Sequence, residues 1–349
     1  MVPALAVADA LRDRGAHVEF VGGERAEAEL VPAAGYPFHA LEVIGIDRRN
    51  PLRAARAGLL AARATTRARA LLRAIGADAV IGGGGYVAGP VGLAARSLQL
   101  PLALTEADSH LGVANRLLAP FAARVFLAFP LAGREGGKYA VVGRPVPAGT
   151  LAADRRAARE RFGIDFTARC VLVFGGSLGA RRLNEAAIDA FGPAAPCVVL
   201  HASGRRDAVD LQRRLAEIGD PPHYRLHPYI EPFSDALAAA DLVVARAGGS
   251  VFEVAAAGLP SVLVPYPHAT ADHQSSNARY IAEAGAAVVV PDRQLDGPRL
   301  AREVAALLGA PGRMAEMASA ARAVARPDAA ERIADEVLGL VAAGSTAAQ

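Results

Sequence analysis

The sequence contains no tryptophan, and aromatic residues make up only 5% of it. That scarcity argues against the aromatic platforms on which single-stranded nucleic acids are stacked. No apolar run reaches the roughly 18 residues that a spanning helix needs. The hydrophobic fraction of 52%, much of it alanine, therefore reads as packed interior rather than membrane segment. The start MVPALAVADALRDRG lacks a basic stretch followed by an apolar stretch and a small-residue cleavage site, so no secretory signal is expected. Cysteine occurs only as Cys170 and Cys197, each inside an apolar strand-like run. Two buried thiols are expected rather than a disulfide framework. Together these absences point to a soluble or peripheral protein of the cytoplasm.

What is present begins with arginine, which greatly outnumbers lysine and carries a formal net charge of +3 and a sequence pI of about 9.1. A basic surface of this kind suits nucleic acid, anionic lipid or phosphorylated substrates. The 349 residues suffice for two domains with separate cores, and so for a ligand cleft between them.

Apolar, β-rich runs at 17–22, 78–82, 100–105, 123–128, 170–175, 196–201, 241–245, 261–265 and 286–290 alternate with Ala/Leu-rich helical stretches. This alternation predicts a doubly wound α/β plan with parallel sheets covered on both faces. Pro145, Pro147 and Gly149 interrupt the periodicity, which places a linker near 144–150 and divides the chain into domains 1–147 and 148–327. A last helix at about 328–343, opened by Pro327, is expected to return to the first domain.

Two glycine turns stand out. The first, in VLVFGGSLGARRLNEAAIDAF, closes a buried strand with Gly175, Gly176 and Ser177 and opens a helix at Gly179. Backbone N–H groups and the positive helix end then face the space beyond the strand, where an anion binds. Such helix-end attraction is worth about 0.3–1 kcal/mol when exposed and about 2 kcal/mol when partly buried, so several N–H bonds must add to it. Taken alone, the turn is equally well read as packing economy. The second turn, in DLVVARAGGSVFEVAAAGLP, repeats the pattern with Gly248, Gly249 and Ser250 and a helix carrying Glu253. Both lie at carboxyl ends of predicted strands, where open α/β sheets bind ligands. Glu253 is suited to accept two hydrogen bonds from a ribose diol, the alternative being a plain partner for the helix dipole. No GxGxxG precedes these turns and no P-loop lysine follows them, which disfavours nicotinamide dehydrogenases and P-loop NTPases.

GGSLGARRLNE, RAGGSVFEVAAAGLPSVLVPYPHATADHQSSNARYI and IGGGGYVAGPVGLAAR together resemble the family of UDP-GlcNAc transferases that converts lipid I to lipid II in peptidoglycan assembly. The resemblance runs from about Val2 to about Val341. It implies a GT-B fold, two doubly wound Rossmann-like domains whose parallel sheets face a central cleft. It also implies a donor site in which Gly175, Gly176, Ser177 and Gly179 hold the diphosphate of UDP-GlcNAc. Arg246, Gly248, Gly249 and Ser250 would line the second phosphate and sugar wall, Glu253 would take the ribose hydroxyls, and Gln274 and Asn277 would read the donor sugar. For Gln274 and Asn277 the plain alternative is solvation of a helix start after Asp272. Gly83, Gly84, Gly85 and Tyr86 correspond to the acceptor loop, to which Asp108 and Asn115 would contribute.

The sequence departs from the family in three places. Family members begin with a strand and a glycine-rich loop ending in His, ahead of the segment matching VPALAVADAL; here the chain starts at Met1. The expectation is a start codon assigned too late, with the family's candidate base and one phosphate loop lying upstream. A parallel sheet would then carry an unpaired edge. The family's His-Glu-Gln-Asn segment appears here as Thr105, Glu106, Ala107 and Asp108, leaving Glu106, Asp108 and His110 as catalytic candidates. Its Gly-Asn-Pro-Val-Arg segment appears as Gly143, Arg144, Pro145, Val146 and Pro147, so Arg144 reaches the donor phosphate from a shifted position or sits in the hinge.

The implied reaction is direct displacement at the anomeric carbon of UDP-GlcNAc by the acceptor C4 hydroxyl, with inversion. The leaving diphosphate would be stabilised by backbone donors and helix ends in a closed cleft. No Asp-X-Asp site accompanies the loops, so no cofactor and no required metal are expected. In the run NPLRAARAGLLAARATTRARALLR, Arg53, Arg56, Arg63 and Arg67 share one helical side with Leu60 and Leu71. On the anionic inner leaflet each arginine would contribute about 1 kcal/mol, roughly 4 kcal/mol in all before screening. The expected partners are UDP-GlcNAc, lipid I and the cytoplasmic face of the cell membrane, with room for other cell-wall synthesis proteins and none for nucleic acid. Two alternatives are a related GT-B transferase with another lipid or natural-product acceptor and a non-catalytic UDP-sugar-binding protein.

Overall fold

A computed structural model describes residues 1–43, 51–176, 180–269 and 272–347, with backbone alone at 51–59 and 345–347. It divides into two compact units, Met1–Pro147 with Pro327–Gln349, and Ala148–Arg326.

The first unit opens with α1 (Val2–Asp13), a helix with proline in its first turn that buries Ala6, Val7, Ala10 and Leu11. It continues through β1 (Phe20–Gly22), α2 (Glu27–Ala33), β2 (Phe38–Ala40), α3 (Pro51–Ala74) and β3 (Val80–Gly82). Next come α4 (Gly85–Ser97), β4 (Leu102–Glu106), α5 (Val113–Leu118), β5 (Arg124–Leu127) and β6 (Tyr139–Val141). Strands β3, β4, β5 and β6 form a parallel sheet in that order. Its side chains alternate between two layers, as strand geometry requires. Leu102, Leu104, Val125 and Leu127 meet Ala64, Ala68 and Leu72 of α3 and Val91, Ala94 and Ala95 of α4. Ala103 and Phe126 meet α1 on the opposite face. Gly92 permits the close packing of α4 on α5, since a Cβ there would lie 2.5 Å from Leu118 Cδ1.

Strands β1 and β2 pair in parallel as a separate ribbon. Among the described residues neither β1 nor β2 pairs with β3, and a cavity of about 1150 Å³ is lined by Val18, Phe20, Ile81, Leu11 and Val337 among others. Val18, Phe20 and Ile81 are correspondingly only half-buried.

The second unit runs α6 (Gly149–Ala152), α7 (Arg155–Arg161), β7 (Cys170–Phe174), α8 (Arg181–Phe191), β8 (Val198–Ala202), α9 (Ala208–Glu217) and β9 (Tyr224–His227). It continues with α10 (Phe233–Ala239), β10 (Leu242–Ala245), α11 (Val251–Ala256), β11 (Ser261–Leu263), α12 (His273–Glu283) and β12 (Ala287–Val289). It closes with α13 (Gly297–Leu308) and α14 (Pro311–Val324). The six strands form one parallel sheet, ordered β12-β11-β10-β7-β8-β9. Val171, Leu172, Val173, Val243 and Val244 are fully buried, as a strand covered on both faces must be. The sheet grows one way from β7 to β9, then restarts beside β7 with β10 and grows the other way, so β7 and β10 flank the switch point.

Asp154 caps α7 by accepting from Ala157 N at 2.7 Å. That helix carries Arg159, 2% exposed. Its guanidinium donates to Asp241 Oδ2 at 2.8 Å and to the carbonyls of Asp165, Phe166 and Ala168. Cys170 and Cys197 are buried free thiols. Burial pushes them up to about 12 and about 11, with the nearby Asp241 carboxylate adding to both shifts. The final helix, α15 (Ala329–Ala347), belongs to the first unit and packs on α1 through Ala330, Ile333, Ala334 and Val337.

Candidate active site

In the second unit the two glycine turns leave adjacent strands. Phe174 pairs with Ala245 at the carboxyl ends of β7 and β10, and Arg246 N donates to Phe174 O at 3.3 Å. After β7 the chain doubles back so tightly that a Cβ on Gly175 would lie 2.3 Å from the Ala180 Cβ. Gly176 adopts φ +98, a conformation that glycine enters without steric cost. Ser177 and Gly179 lie outside the described residues. Among the described residues helix α8 starts with no side-chain cap and no acidic residue in its first turn, so its positive end suits an anion.

After β10, Gly248, Gly249 and Ser250 are half-buried, and an added Cβ on Gly248 would meet no atom within 4 Å. Backbone can approach a ligand closely there. Glu253 sits half-buried in the first turn of α11. Asn277, buried on α12, donates through Nδ2 to Ala247 O at 3.0 Å, so it braces this turn from beneath. Gln274 accepts from Tyr266 N at 2.9 Å and ties α12 to the segment after β11. Arg246 is turned inward, with its Nη1 2.6 Å from Asp292 Oδ1 and 3.2 Å from Val264 O.

Sequence reasoning had not singled out a buried polar array behind α8. Asn184 Nδ2 donates to Ser203 O at 2.9 Å and Asp207 Oδ2 at 3.0 Å, while its Oδ1 meets His201 Nε2 at 3.1 Å. His201 Nδ1 in turn meets Tyr224 Oη at 2.8 Å. Burial lowers His201 to about 3, so the imidazole is neutral at physiological pH. The polar Asn184 within the otherwise apolar face of α8 was the available signal.

In the first unit, Glu106 ends β4 and is 8% exposed. Its carboxylate accepts from Asp108 N at 3.2 Å, Gly112 N at 2.8 Å and Asn115 Nδ2 at 2.9 Å. These charge-assisted bonds close the loop between β4 and α5. Asn115, 1% exposed, also donates to Thr105 O at 3.0 Å, and its buried Oδ1 has no partner among the described residues. Gly83, Gly84 and Gly85 follow β3 beside this cluster, a Cβ on Gly84 lying 3.6 Å from Asn115 Nδ2. Asp108 is half-buried, His110 is exposed, and Arg144 Nη1 donates to Ala107 O at 3.2 Å. Tyr86 is exposed, with the Arg25 guanidinium 5.9 Å from its ring centre. Among the described residues no group of three or more His, Cys, Asp or Glu side chains is placed to hold a metal ion.

Arg63 and Arg67 are exposed on α3, whereas the side chains of Arg53 and Arg56 lie outside the described residues. A second exposed face lies on α4, α5 and the turn after α5, where Leu93, Val113, Leu117 and Phe121 are all exposed. The Arg96 guanidinium sits 5.5 Å from the Phe121 ring centre. No helix among the described residues is long and apolar enough to cross a membrane.

The glycosyltransferase family 28 N-terminal domain matches residues 1–127, and the glycosyltransferase family 28 C-terminal domain matches residues 170–333. The chain is 44% identical to a UDP-N-acetylglucosamine–N-acetylmuramyl-(pentapeptide) pyrophosphoryl-undecaprenol N-acetylglucosamine transferase of Rubrobacter xylanophilus, over 95% of this chain and 98% of the relative. It is 42% identical to the transferase of the same name from Methylococcus capsulatus, over 95% of this chain and 93% of the relative. Its structure resembles that of Acinetobacter baumannii MurG, with a TM-score of 0.77 at 31% identity, covering 97% of this chain and 95% of that one.

Proposed function

The chain belongs to the family of UDP-N-acetylglucosamine–N-acetylmuramyl-(pentapeptide) pyrophosphoryl-undecaprenol N-acetylglucosamine transferases, and on that footing we propose that it transfers GlcNAc from UDP-GlcNAc to lipid I, forming lipid II. It has the two-domain, parallel-sheet α/β architecture of MurG and the GT-B glycosyltransferases. The observation that carries the donor assignment is the pair of glycine turns on neighbouring strands at the switch point of the second unit.

In this reading the diphosphate lies against the backbone after Gly175 and the start of α8. Partial positive charge at the helix start offsets the negative charge that grows on the leaving UDP. Glu253 accepts from the ribose hydroxyls. Gly248 and Gly249 let the second turn approach the phosphates, and Gln274 and Asn277 shape the sugar wall by holding the backbone that lines it. The acceptor C4 hydroxyl attacks the anomeric carbon with inversion.

On the acceptor side, the three donors on Glu106 favour a role in holding the loop shut over a role in proton transfer. Asp108, half-buried on that loop, takes the role of base in this reading. Gly83, Gly84 and Gly85 provide a backbone surface for the acceptor pyrophosphate, beside Asn115 and Tyr86. Radiolabelled GlcNAc transfer to lipid I tests the whole reading, and absence of product despite bound UDP-GlcNAc would redirect it to another acceptor. Asp108→Asn is expected to lower turnover by about 10²–10⁴-fold while leaving UDP-GlcNAc affinity intact.

We also place the protein at the cytoplasmic face of the membrane as a peripheral enzyme. The support is the exposed apolar face at Leu93, Val113, Leu117 and Phe121, with Arg96, Arg63 and Arg67 available for anionic headgroups. Equal sedimentation with neutral and anionic vesicles would remove the electrostatic part of that placement.

A further inference from the structure

Asp292 follows β12 in a short 3₁₀ turn, Asp292–Gln294, and its carboxylate faces two arginines from different parts of the fold. Oδ1 is 2.6 Å from Arg246 Nη1, on the turn after β10, and Oδ2 is 3.8 Å from Arg182 Nε, in the first turn of α8. Arg182 is fastened further by Nη2, which donates to Leu295 O at 3.1 Å. Arg246 is 6% exposed, and its buried Nε has no partner among the described residues. A buried guanidinium left without a counter-charge is strongly unfavourable, so the carboxylate decides where this side chain lies.

The consequence reaches beyond the ion pair. Arg246 Nη1 also donates to Val264 O at 3.2 Å, and its guanidinium sits 5.6 Å from the Tyr266 ring centre. Tyr266 N donates to Gln274 Oε1 at 2.9 Å. One carboxylate thereby links the start of α8, the turn after β10 and the backbone at Tyr266, which Gln274 in turn holds. The first two follow β7 and β10, the strands that flank the switch point, and the third follows β11, the neighbour of β10.

We infer that Asp292 is a positioning residue of the UDP-sugar site, acting through Arg246 and Arg182 to fix the start of α8, the turn after β10 and the backbone at Tyr266 in one geometry. The inference rests on the donor-site reading above and deepens it. Asp292 touches no substrate in this account. Its charge keeps Arg246 directed inward, where it supports the wall instead of collapsing into the phosphate space.

Calorimetric titration of the full chain with UDP-GlcNAc separates positioning from simple loss of fold, because the first changes the dissociation constant and the second changes the stoichiometry. Asp292→Asn is expected to weaken UDP-GlcNAc binding about tenfold, equivalent to about 1.4 kcal/mol, at unchanged stoichiometry. Asp292→Glu, which restores the charge, should return affinity to within about threefold of the parent. Arg182→Gln provides a second variant at a half-exposed side chain, where folding is not at stake, and should weaken binding by about threefold. Parent-like dissociation constants in both Asp292→Asn and Arg182→Gln would overturn the inference while leaving the donor site standing. A fall in stoichiometry for Asp292→Asn together with parent-like affinity for Arg182→Gln would likewise overturn it. A parent chain that binds no UDP-GlcNAc would overturn the donor-site reading and this inference with it.

Discussion

The two units follow one plan and complete it to different degrees. In the second unit six strands form a single parallel sheet, and its central strands β7 and β10 are buried along both faces and both edges. In the first unit the parallel strands fall into a ribbon of two and a sheet of four, bordered by a cavity of about 1150 Å³. Full burial of a Val, Ile or Phe side chain contributes about 1.5–3 kcal/mol, and Val18, Phe20 and Ile81 realise only part of that. The lesson is that apolar patterning alone does not bury a parallel strand on all sides, since that also takes a neighbouring strand on each edge. The proposed donor turns leave the completed sheet, whereas the glycines of the proposed acceptor loop leave β3, whose second edge is unpaired among the described residues.

Mutations should break this contrast unequally. The largest effect is expected from Asp241→Ala, which strands the buried Arg159 guanidinium and frees Cys170 N and Arg155 from their shared carboxylate. Removing one partner of a buried pair costs about 3–5 kcal/mol. Urea unfolding should show that loss in the transition of the second unit and leave that of the first in place.

The next test pairs equivalent truncations. Leu172→Ala, at a fully buried site in β7, should cost about 2–5 kcal/mol. Ile81→Ala, at the wall of an existing cavity, should cost less than half as much, because little new void is created. Equal losses would erase the distinction between the units.

A smaller, pH-dependent difference follows from His201. Burial holds its folded pKa at about 3, below the ordinary imidazole value of about 6.5, so the unfolded chain takes up a proton first as pH falls. Its stabilising contribution is complete above about pH 6.5 and declines below that, by at most about 1.4 kcal/mol per pH unit. Stability of the second unit should therefore fall between pH 6.5 and 5, and His201→Gln should flatten that slope. The smallest effect on stability is expected from Leu117→Ser, at a side chain that is 67% exposed. Unfolding should shift by no more than about 0.5 kcal/mol, while sedimentation with vesicles should weaken.

The strands that the sequence revealed and those it hid differ in position. Runs such as CVLVF and DLVVA are uniformly apolar because β7 and β10 are covered on both faces, and that pattern is visible without coordinates. Strands β2 (FHA), β6 (YAV) and β9 (YRLH) gave no comparable signal. All three are sheet edges of three or four residues with mixed polarity, and pairing with one neighbour defines them. Site residues divide in a similar way. The glycine turns are legible because their backbone requirement is local. The partners of Glu106 depend on a loop closing from Asp108 to Asn115, and Asp292 meets Arg246 from 46 residues away, so neither arrangement has a local signature. The resemblance places Gln274 and Asn277 at the sugar wall, but only the fold reveals that Gln274 accepts from the Tyr266 backbone and Asn277 donates to the Ala247 backbone.

The central claim is that the second unit holds the UDP-sugar at its switch point. Hydrogen exchange of the full chain with and without UDP-GlcNAc tests this most directly, because it reports where the ligand slows amide opening. Protection is expected at 173–184, 245–256 and 264–278. Protection confined to 80–87 and 105–115, or none anywhere under saturating UDP-GlcNAc, would contradict the account.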